Sequence, residues 1–281
     1  MAIQFSPVIA AQAQSDGQQF VDVHRVEGAQ LGRFASPIIS FDEGHVLGRP
    51  FTVHPHAGFS AVSYLFEDSQ DNLRTRDSLG NDLVTGPGGL VWTQAGSGVV
   101  HEEMAARRDG DLHMMQLFVN LTRQDKLAAP RVFRLERDEV PEWRGAAGDR
   151  VRVLVGAFQN ESSPVKPTQP FRFLEVWLQS EVSFGLEAGH NALVYVLSGA
   201  VSVAADGRER QLPAAHAVAM HGDGTQVSIK AAQAAHVVVL SGGEIRDPVL
   251  AWGPFIMNDQ AQIEDAIARY RAGRMGQLTP A

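Results

Sequence analysis

Short apolar segments separated by turn residues follow one another along most of this chain, and this pattern constrains the fold more than any other feature. Ser60–Phe66 is rich in Val, Tyr, Leu and Phe, and Leu90–Thr93 and Met114–Asn120 are further apolar runs. Gly86-Pro-Gly-Gly lies just before the second run and supplies a turn. No stretch between residues 20 and 120 keeps a helical period. We therefore predict an all-β fold of the sandwich or barrel type.

A second series of strands begins after a charged crossing. Residues 121–150 alternate poorly and carry Pro130 and Pro141. A length of 281 residues suits two domains of about 140 residues each or one large domain. Because the crossing separates two series of strands, we predict an N-terminal domain over residues 1–135 and a C-terminal domain over residues 136–281. The predicted strands of the second domain are Val151–Ala157, Arg172–Gln179, Ala192–Leu197, Val201–Ala204 and His236–Leu240.

One helix is predicted close to the end of the chain. Asn258 or Asp259 can cap its beginning, and Gly273 can close it. The apolar residues that recur at helical spacing and share one face are Ile263, Ala266, Ile267 and Tyr270. We expect this face to pack against a barrel, and we assign no chemistry to it.

The composition excludes several classes of function. Cysteine is absent, which excludes disulfides, iron–sulfur clusters, thiolate zinc sites and cysteine nucleophiles, and agrees with a reducing cytosol. The 32 acidic and 24 basic residues give a net charge of −8, so we expect no direct binding of nucleic acid. No apolar run approaches the roughly 18 residues of a membrane span. We expect a cytoplasmic protein that does not enter a membrane.

One segment concentrates basic residues. Its members are Arg123, Lys126, Arg131, Arg134 and Arg137. Acidic residues are interleaved with them, so we interpret the segment as a solvated face of mixed charge rather than as an anion-binding patch.

Two short patterns of histidine and glutamate carry the strongest chemical signal. His54 and His56 are separated by one residue, and His101 precedes Glu103 by two positions. Residues i and i+2 of a strand project from the same face about 7 Å apart, so each pair can converge on one ion. The same parity selects Glu103 rather than Glu102. If the two strands are neighbours inside a barrel, three imidazole nitrogens and one carboxylate oxygen meet at one point.

A set of three His and one Glu suits a divalent transition ion with one or two positions open to water or substrate. It extends the arrangement of two His and one carboxylate that is associated with non-haem Fe(II). Affinity order alone would also admit Ni, Cu or Zn, so the residues leave the ion open. The other interpretation is a set of isolated polar residues at strand ends. Agreement of ligand type and parity in both pairs favours metal binding.

Four segments of the chain together match one known family. They are His54-Pro-His-Ala-Gly-Phe-Ser-Ala-Val-Ser-Tyr-Leu65, Arg76-Asp-Ser-Leu-Gly-Asn81, Gly86-Pro-Gly-Gly-Leu-Val-Trp-Thr-Gln-Ala-Gly-Ser-Gly-Val-Val-His-Glu-Glu-Met104 and Trp252-Gly-Pro-Phe-Ile-Met-Asn258. With them the sequence closely resembles the pirin family over most of its length. The resemblance implies two cupin (jelly-roll) β-barrels packed face to face, with a short C-terminal helix.

The resemblance also implies a metal centre. In pirins the N-terminal barrel holds one metal, usually iron, and the matching ligands in this sequence are His54, His56, His101 and Glu103. Fe(II) is therefore favoured, with Ni, Co, Mn, Cu and Zn as alternatives. The histidines of the second half are dispersed, so we expect no metal in the C-terminal barrel.

Pirins include quercetin 2,3-dioxygenases and regulators that bind transcription factors or metabolic enzymes. The first hypothesis is accordingly a dioxygenase, an oxidoreductase that opens the ring of quercetin, another flavonol or a related planar aromatic enol with O2. Glu103 would be its catalytic base and accept the substrate's hydroxyl proton. The apolar residues expected to line the substrate site are Phe51, Phe59, Met104, Met115 and Phe118. The alternative is a metal-binding regulatory protein that binds a partner protein without turnover of its own.

Four positions depart from the usual pirin pattern. Ser60 and Ala61 follow Phe59 where pirins usually have Glu and Thr, Thr75 stands where a His is common, and Asp68 replaces a usual turn Gly. None is an expected metal ligand. Because residues around the ligands orient them, these departures bear on activity more than on metal binding.

Overall fold

The computed structural model describes residues 3–279, and strands make up nearly all of its regular structure. In the first half of the chain the strands are β1 (Gln4–Phe5), β2 (Ile9–Ala10), β3 (Gln12–Gln14), β4 (Phe20–Glu27), β5 (Ile38–Leu47), β6 (Phe51–His56), β7 (Phe59–Leu65), β8 (Leu73–Asp77), β9 (Asp82–Thr85), β10 (Leu90–Gln94), β11 (Val99–Ala105), β12 (Asp111–Asn120) and β13 (Arg131–Leu135). In the second half they are β14 (Glu142–Arg144), β15 (Arg150–Val155), β16 (Ala157–Phe158), β17 (Glu161–Ser162), β18 (Phe171–Leu178), β19 (Glu181–Leu186), β20 (His190–Ser198), β21 (Ala200–Ala205), β22 (Arg208–Pro213), β23 (His216–His221), β24 (Thr225–Lys230), β25 (Ala235–Gly243), β26 (Leu250–Trp252) and β27 (Phe255–Met257). The helix α1 spans Gln260–Arg271. The prediction of an all-β fold with one short C-terminal helix is confirmed.

The chain divides into two compact units. The N-terminal unit contains Ala13–Arg25, Ser40–Arg137 and the segment that starts at Ile245. The C-terminal unit contains Asp138–Glu244, Val26–Ile39 and the segment that ends at Gln12.

The N-terminal unit has two large sheets and the two-stranded sheet of β26 and β27. Its larger sheet has the order β13-β10-β7-β12-β5-β4-β3, and its smaller sheet has the order β6-β11-β8-β9. Buried side chains of both sheets form one apolar cluster, for example Leu65 and Met114 from the larger sheet and Leu73 and Ala105 from the smaller. The core of this unit therefore lies between its two large sheets, as in a β-sandwich.

The C-terminal unit repeats this arrangement with its own strands. An eight-stranded sheet has the order β1-β23-β20-β25-β18-β15-β14, with β2 also paired to β23, and a second sheet has the order β19-β24-β21-β22. Alternate residues of these strands, such as Leu174, Val194 and Val239 in the first sheet and Phe184 and Val227 in the second, form one buried cluster. Strand alternation thus separates a continuous apolar core from the outer faces.

The C-terminal helix groups with the N-terminal unit. Asp259 caps it by accepting a hydrogen bond from the backbone N–H of Gln262, as predicted for that end. Ile263 and Ala266 are buried in a cluster that also contains Val100 of β11. The predicted division placed the helix with residues 136–281; the structure differs because its apolar face packs on residues of the N-terminal unit.

Two local features were not expected from the sequence. Gly28–Ala35 forms a short 3-10 segment interrupted at Gly32, whose φ is 63°. Lys126 is fully buried rather than part of a solvated face. Its ammonium group donates to the carbonyl oxygens of Gly58 (2.8 Å) and Ile256 (2.9 Å) and to the side chain of Asn120.

Among the residues described, no helix has the length and apolar character needed to cross a membrane.

Candidate metal centre

Two neighbouring strands position the three histidines. β6 pairs with β11 in antiparallel register, with His54 opposite His101 and His56 opposite Val99. The expectation that these two segments lie side by side is therefore met. Because directly opposed residues and residues two apart share a face, all three imidazoles lie on one side of this strand pair.

The imidazole nitrogens converge closely. His54 Nε2 lies 2.9 Å from His56 Nε2 and 3.1 Å from His101 Nε2. The ligand atoms of the three residues all lie within 4.8 Å of one another. Two nitrogens bound about 2.1 Å from one ion and 90° apart are about 3.0 Å from each other. The observed separations fit three nitrogen ligands on adjacent positions of a single divalent ion.

The hydrogen bonds around the rings agree with that use. His54 Nδ1 lies 2.6 Å from the carbonyl oxygen of Thr52, so this nitrogen carries the proton and Nε2 offers its lone pair. His101 Nδ1 is buried without a hydrogen-bond partner among the described residues. Thr52 thus fixes the ring of His54, while the ring of His101 lies against those of His54 and His56.

Burial keeps the three imidazoles neutral. It lowers the pKa of His56 to about 3, with a further contribution from neighbouring His54. It lowers the pKa of His54, and it lowers the pKa of His101 well below the usual value. Neutral imidazole is the form that binds metal ions, so the site needs no proton loss near neutral pH.

Glu103 lies inside the same unit, in a set of polar side chains. Its Oε1 accepts a hydrogen bond from Ser63 Oγ (2.6 Å), and Thr75 Oγ1 lies 3.4 Å from the same oxygen. The side-chain amide of Gln116 lies 3.0 Å from the Ser63 hydroxyl. Burial raises the pKa of Glu103 to about 6, and hydrogen bonds from these three residues limit the rise. The carboxyl group therefore titrates close to neutral pH.

The structure separates Glu103 from Glu102. Glu102 pairs with Arg76 and Arg49, of which Arg49 is nearly half exposed. Glu103 instead reaches Ser63 on the larger sheet. The carboxylate of Glu103 is not in the three-histidine set, and a bulge interrupts the pairing of β6 and β11 between His101 and Glu103.

Two of the five expected lining residues lie beside the imidazoles. The ring centroids of Phe59 and Phe118 lie 4.9 Å and 5.7 Å from the ring centroid of His56. The two phenyl rings are also in contact, with centroids 4.8 Å apart. They form an aromatic wall next to His56.

The other three lining candidates do not share one position. Phe51 is the cross-strand partner of Glu103 in the pairing of β6 and β11, and its ring packs against Phe20 and the apolar core of the unit. Met104 follows Glu103 directly, so it lies on the opposite face of β11. Met115 precedes Gln116 and lies on the face of β12 away from the polar set for the same reason.

The sequence interpretation missed Ser63 and Gln116. Both are polar residues inside runs otherwise read as apolar strands, and both are buried. That mismatch was a usable signal, because a buried polar group requires a hydrogen-bond partner. Of the departures from the family pattern, Thr75 contacts Glu103, whereas Asp68 binds His113 and Ser60 is buried with no partner for its hydroxyl among the described residues.

Similarity to known proteins extends over most of the chain. The family model described as Pirin matches residues 9–119, and the Pirin C-terminal cupin domain matches residues 173–276. Pirin of Rattus norvegicus is 32% identical over 273 residues, which cover 95% of this chain and 92% of that protein. A Pseudomonas aeruginosa protein provisionally named quercetin 2,3-dioxygenase is 33% identical, over 79% of this chain and 79% of its own length.

Solved structures share the fold. The crystal structure of quercetin 2,3-dioxygenase from Acinetobacter baumannii superposes with a TM-score of 0.84 at 24% identity. The match covers 99% of this chain and 100% of that chain. At this identity the likeness concerns the arrangement of strands, while the functional comparison rests on the more similar sequences.

Proposed function

This chain belongs to the pirin family, and on that premise we propose that it is a metal-dependent dioxygenase that opens the ring of flavonols such as quercetin with O2. The observation that carries the proposal is the convergence of three neutral, buried imidazoles, with an aromatic wall next to His56. Glu103 lies on the same face of β11 as His101, two residues further along the strand. A relative provisionally named quercetin 2,3-dioxygenase supports the choice of substrate class.

We propose that His54, His56 and His101 hold one divalent transition ion in the N-terminal unit and that Glu103 is the fourth ligand. Fe(II) is the favoured ion because neutral nitrogen ligands with one carboxylate are the donor set of non-haem iron oxygenases. Ni, Co, Mn, Cu and Zn are the alternatives. When bound, the ion would supply a Lewis-acidic and redox-active contact for the substrate oxygen and dioxygen.

Glu103 is the proposed catalytic base. A carboxyl group with a pKa near 6 is largely ionised at neutral pH and can accept the hydroxyl proton of an enol. The hydroxyl of Ser63 orients this carboxylate. Phe59 and Phe118 offer flat apolar surfaces to a planar aromatic ring and exclude water from the reacting centre.

The decisive experiment incubates the iron-reconstituted protein with quercetin in air. We expect loss of quercetin absorbance, consumption of one O2 per quercetin and release of carbon monoxide. A His101→Ala variant, loaded in parallel, provides the control because it lacks one ligand of the site. Absence of turnover over a panel of flavonols and related planar enols would reject the enzyme proposal.

That negative outcome would favour the second function, a metal-binding regulatory protein that binds a partner protein. Relatives named Pirin support this alternative only through family membership. We also propose a cytoplasmic location, since a chain without cysteine agrees with a reducing compartment.

A further inference from the structure

A cavity of about 400 Å³ opens at one end of the C-terminal unit. Gly156, just after β15, lies in its wall together with the beginnings of β18 and β20 and the end of β25. The loop between Ser162 and Phe171 supplies the rest of the lining. Sites for small organic molecules typically enclose roughly 300–1,000 Å³, so this cavity is large enough for a compact ligand.

Polar residues occupy the inward face of the strands at this end. Arg172 shares its face of β18 with the core residue Leu174, and His190 shares its face of β20 with Ala192. Ser241 is the cross-strand partner of both Arg172 and Ala192, so it faces the same way. The apolar core of the unit therefore gives way to a polar layer where the cavity begins.

Arg172 is held in place by backbone atoms. Its Nε donates to the carbonyl oxygen of Ala157 (3.1 Å), and Nη1 donates to that of Gly185 (2.9 Å). Nη2 lies 3.9 Å from Glu187 Oε1, which exceeds hydrogen-bond distance. Only 18% of the side chain is exposed, and burial lowers its pKa. A desolvated guanidinium with a fixed plane is prepared to bind a planar anion.

A second cation lies on the loop. Lys166 Nζ donates to the carbonyl oxygen of Ser163 (2.7 Å) and lies 3.3 Å from Ser162 Oγ. An ammonium group has three donors, so one N–H remains available to a ligand. Among the described residues that line the cavity, Glu187 is the single acidic one, and it is 66% exposed. Its carboxylate lies 3.8 Å from His190 Nε2, in loose contact with the polar layer.

The loop also supplies an apolar part of the wall. It comes from Val165, Pro167, Pro170 and Phe171, and Thr168 and Gln169 lie between the two prolines. We propose that this cavity is a second ligand site, which binds a small organic acid with an apolar or aromatic body. The carboxylate of the ligand pairs with Arg172 and Lys166 and replaces Glu187 near the guanidinium, while the body of the ligand packs on the prolines. This site uses none of the proposed metal ligands.

Benzoate is the probe that tests this site on the full chain, with isothermal titration calorimetry as the readout. Benzamide has the same shape without the charge, and inorganic phosphate has the charge without the apolar body. We expect benzoate to bind and both comparison molecules to bind about tenfold more weakly. Treatment with a chelator should leave benzoate affinity unchanged. Equal binding of benzamide, or binding that requires the metal, would overturn the proposal.

Charge variants separate this site from a nonspecific attraction. Glu187→Gln removes the competing carboxylate, so we expect it to strengthen benzoate binding several-fold. Lys166→Gln and Arg172→Gln should each weaken it by about tenfold. Lys230→Gln is the control. Lys230 lies on β24, pairs with Glu181 and is not part of the cavity lining, so loss of its charge should leave benzoate affinity unchanged.

The variants are expected to change benzoate affinity in opposite directions, so a general loss of folding cannot produce the whole set of results. Arg172 anchors two backbone carbonyls, and its variant is checked for folding by circular dichroism. If that variant does not fold, Glu187→Gln and Lys166→Gln still decide the question, because both side chains are exposed. Unchanged affinity in both of these variants would reject the site.

Discussion

At the scale of single residues, strand parity located most of the candidate metal centre. His54, His56 and His101 were identifiable because residues two apart share a face whatever the rest of the fold. Ser63 and Gln116 were not, because their contact with Glu103 requires knowing how distant strands face each other. A sequence thus predicts ligands that lie two apart more readily than the groups that orient them.

Exchange of one carboxyl group tests the role of Glu103. Glu103→Gln preserves the shape of the side chain but removes the base, so we expect turnover of quercetin to fall at least about a hundredfold while much of the metal remains bound. Oxygen consumption and metal content per chain are the measurements. Glu102→Gln is the matched control, since the same change one residue away lies on the Arg76 side of β11. Turnover equal to that of the native chain in Glu103→Gln would refute the base role.

The hydroxyl of Ser63 provides a second test at this scale. Ser63→Ala removes the 2.6 Å hydrogen bond to Glu103 Oε1. Loss of a group that orients a ligand typically costs 10–100-fold in activity or metal affinity, and we expect a loss of about tenfold here. Ser60→Ala is the control, because Ser60 is equally buried but, three residues before Ser63 on β7, lies on the opposite face of the strand. Equal losses in both variants would show a general packing effect.

At the scale of elements, the sequence predicted the strands and the helix but not every connection. Apolar runs bounded by turn residues corresponded to β7, β10 and β12, and the cap at Asp259 marked the start of α1. The 3-10 segment Gly28–Ala35 was missed because it holds few residues of one helical period and is broken at Gly32. Short segments of this kind depend on their surroundings for stability.

The turn between β6 and β7 determines where His56 lies and can be tested directly. Gly58 has a φ of 86°, and a Cβ there would lie 2.0 Å from the carbonyl oxygen of Ile256. We expect Gly58→Ala to lower the free energy of unfolding by several kcal/mol (roughly 3 or more) and to weaken metal binding. Gly80→Ala is the control for the cost of a positive φ without a steric clash, because Gly80 has a φ of 94° and open space around it. We expect this variant to lose about 1 kcal/mol of unfolding free energy. Chemical denaturation of both variants measures the difference, and equal losses would contradict the steric argument.

At the scale of the whole molecule, the path of the chain was the least predictable feature. Local patterns give no sign that the segment from Ile245 onwards groups with the N-terminal unit. That grouping follows from contacts of Ile263 and Ala266 with residues such as Ala57, far away in sequence. Lys126 was misread for the same reason, since its three acceptors come from separate parts of the chain.

Lys126 also gives the stability of the whole molecule a characteristic dependence on pH. Burial lowers its pKa to about 7, although Asp247 opposes the shift, whereas an unfolded lysine has a pKa of about 10.4. Between these values the unfolded chain binds more protons, so the free energy of unfolding rises with pH. The expected slope is at most about 1.4 kcal/mol per pH unit. Below pH 7 the contribution is constant, because Lys126 is protonated in both states.

The chain has only three lysines, which makes this alkaline effect measurable. Urea denaturation between pH 7.5 and 9.5 (roughly the central part of the window set by the two pKa values) should give a rising free energy of unfolding for the native chain. Lys126→Met should lack this rise, while Lys230→Met, which replaces an exposed lysine, should keep it. Hydrogen bonds to Glu43 and Asp68 raise the pKa of His113 despite its burial, so its titration lowers the free energy of unfolding as the pH rises. The native chain and both variants contain His113, so this effect is the same in all three curves. Parallel curves for the native chain and Lys126→Met would mean that the carbonyl oxygens around the ammonium group compensate its burial completely.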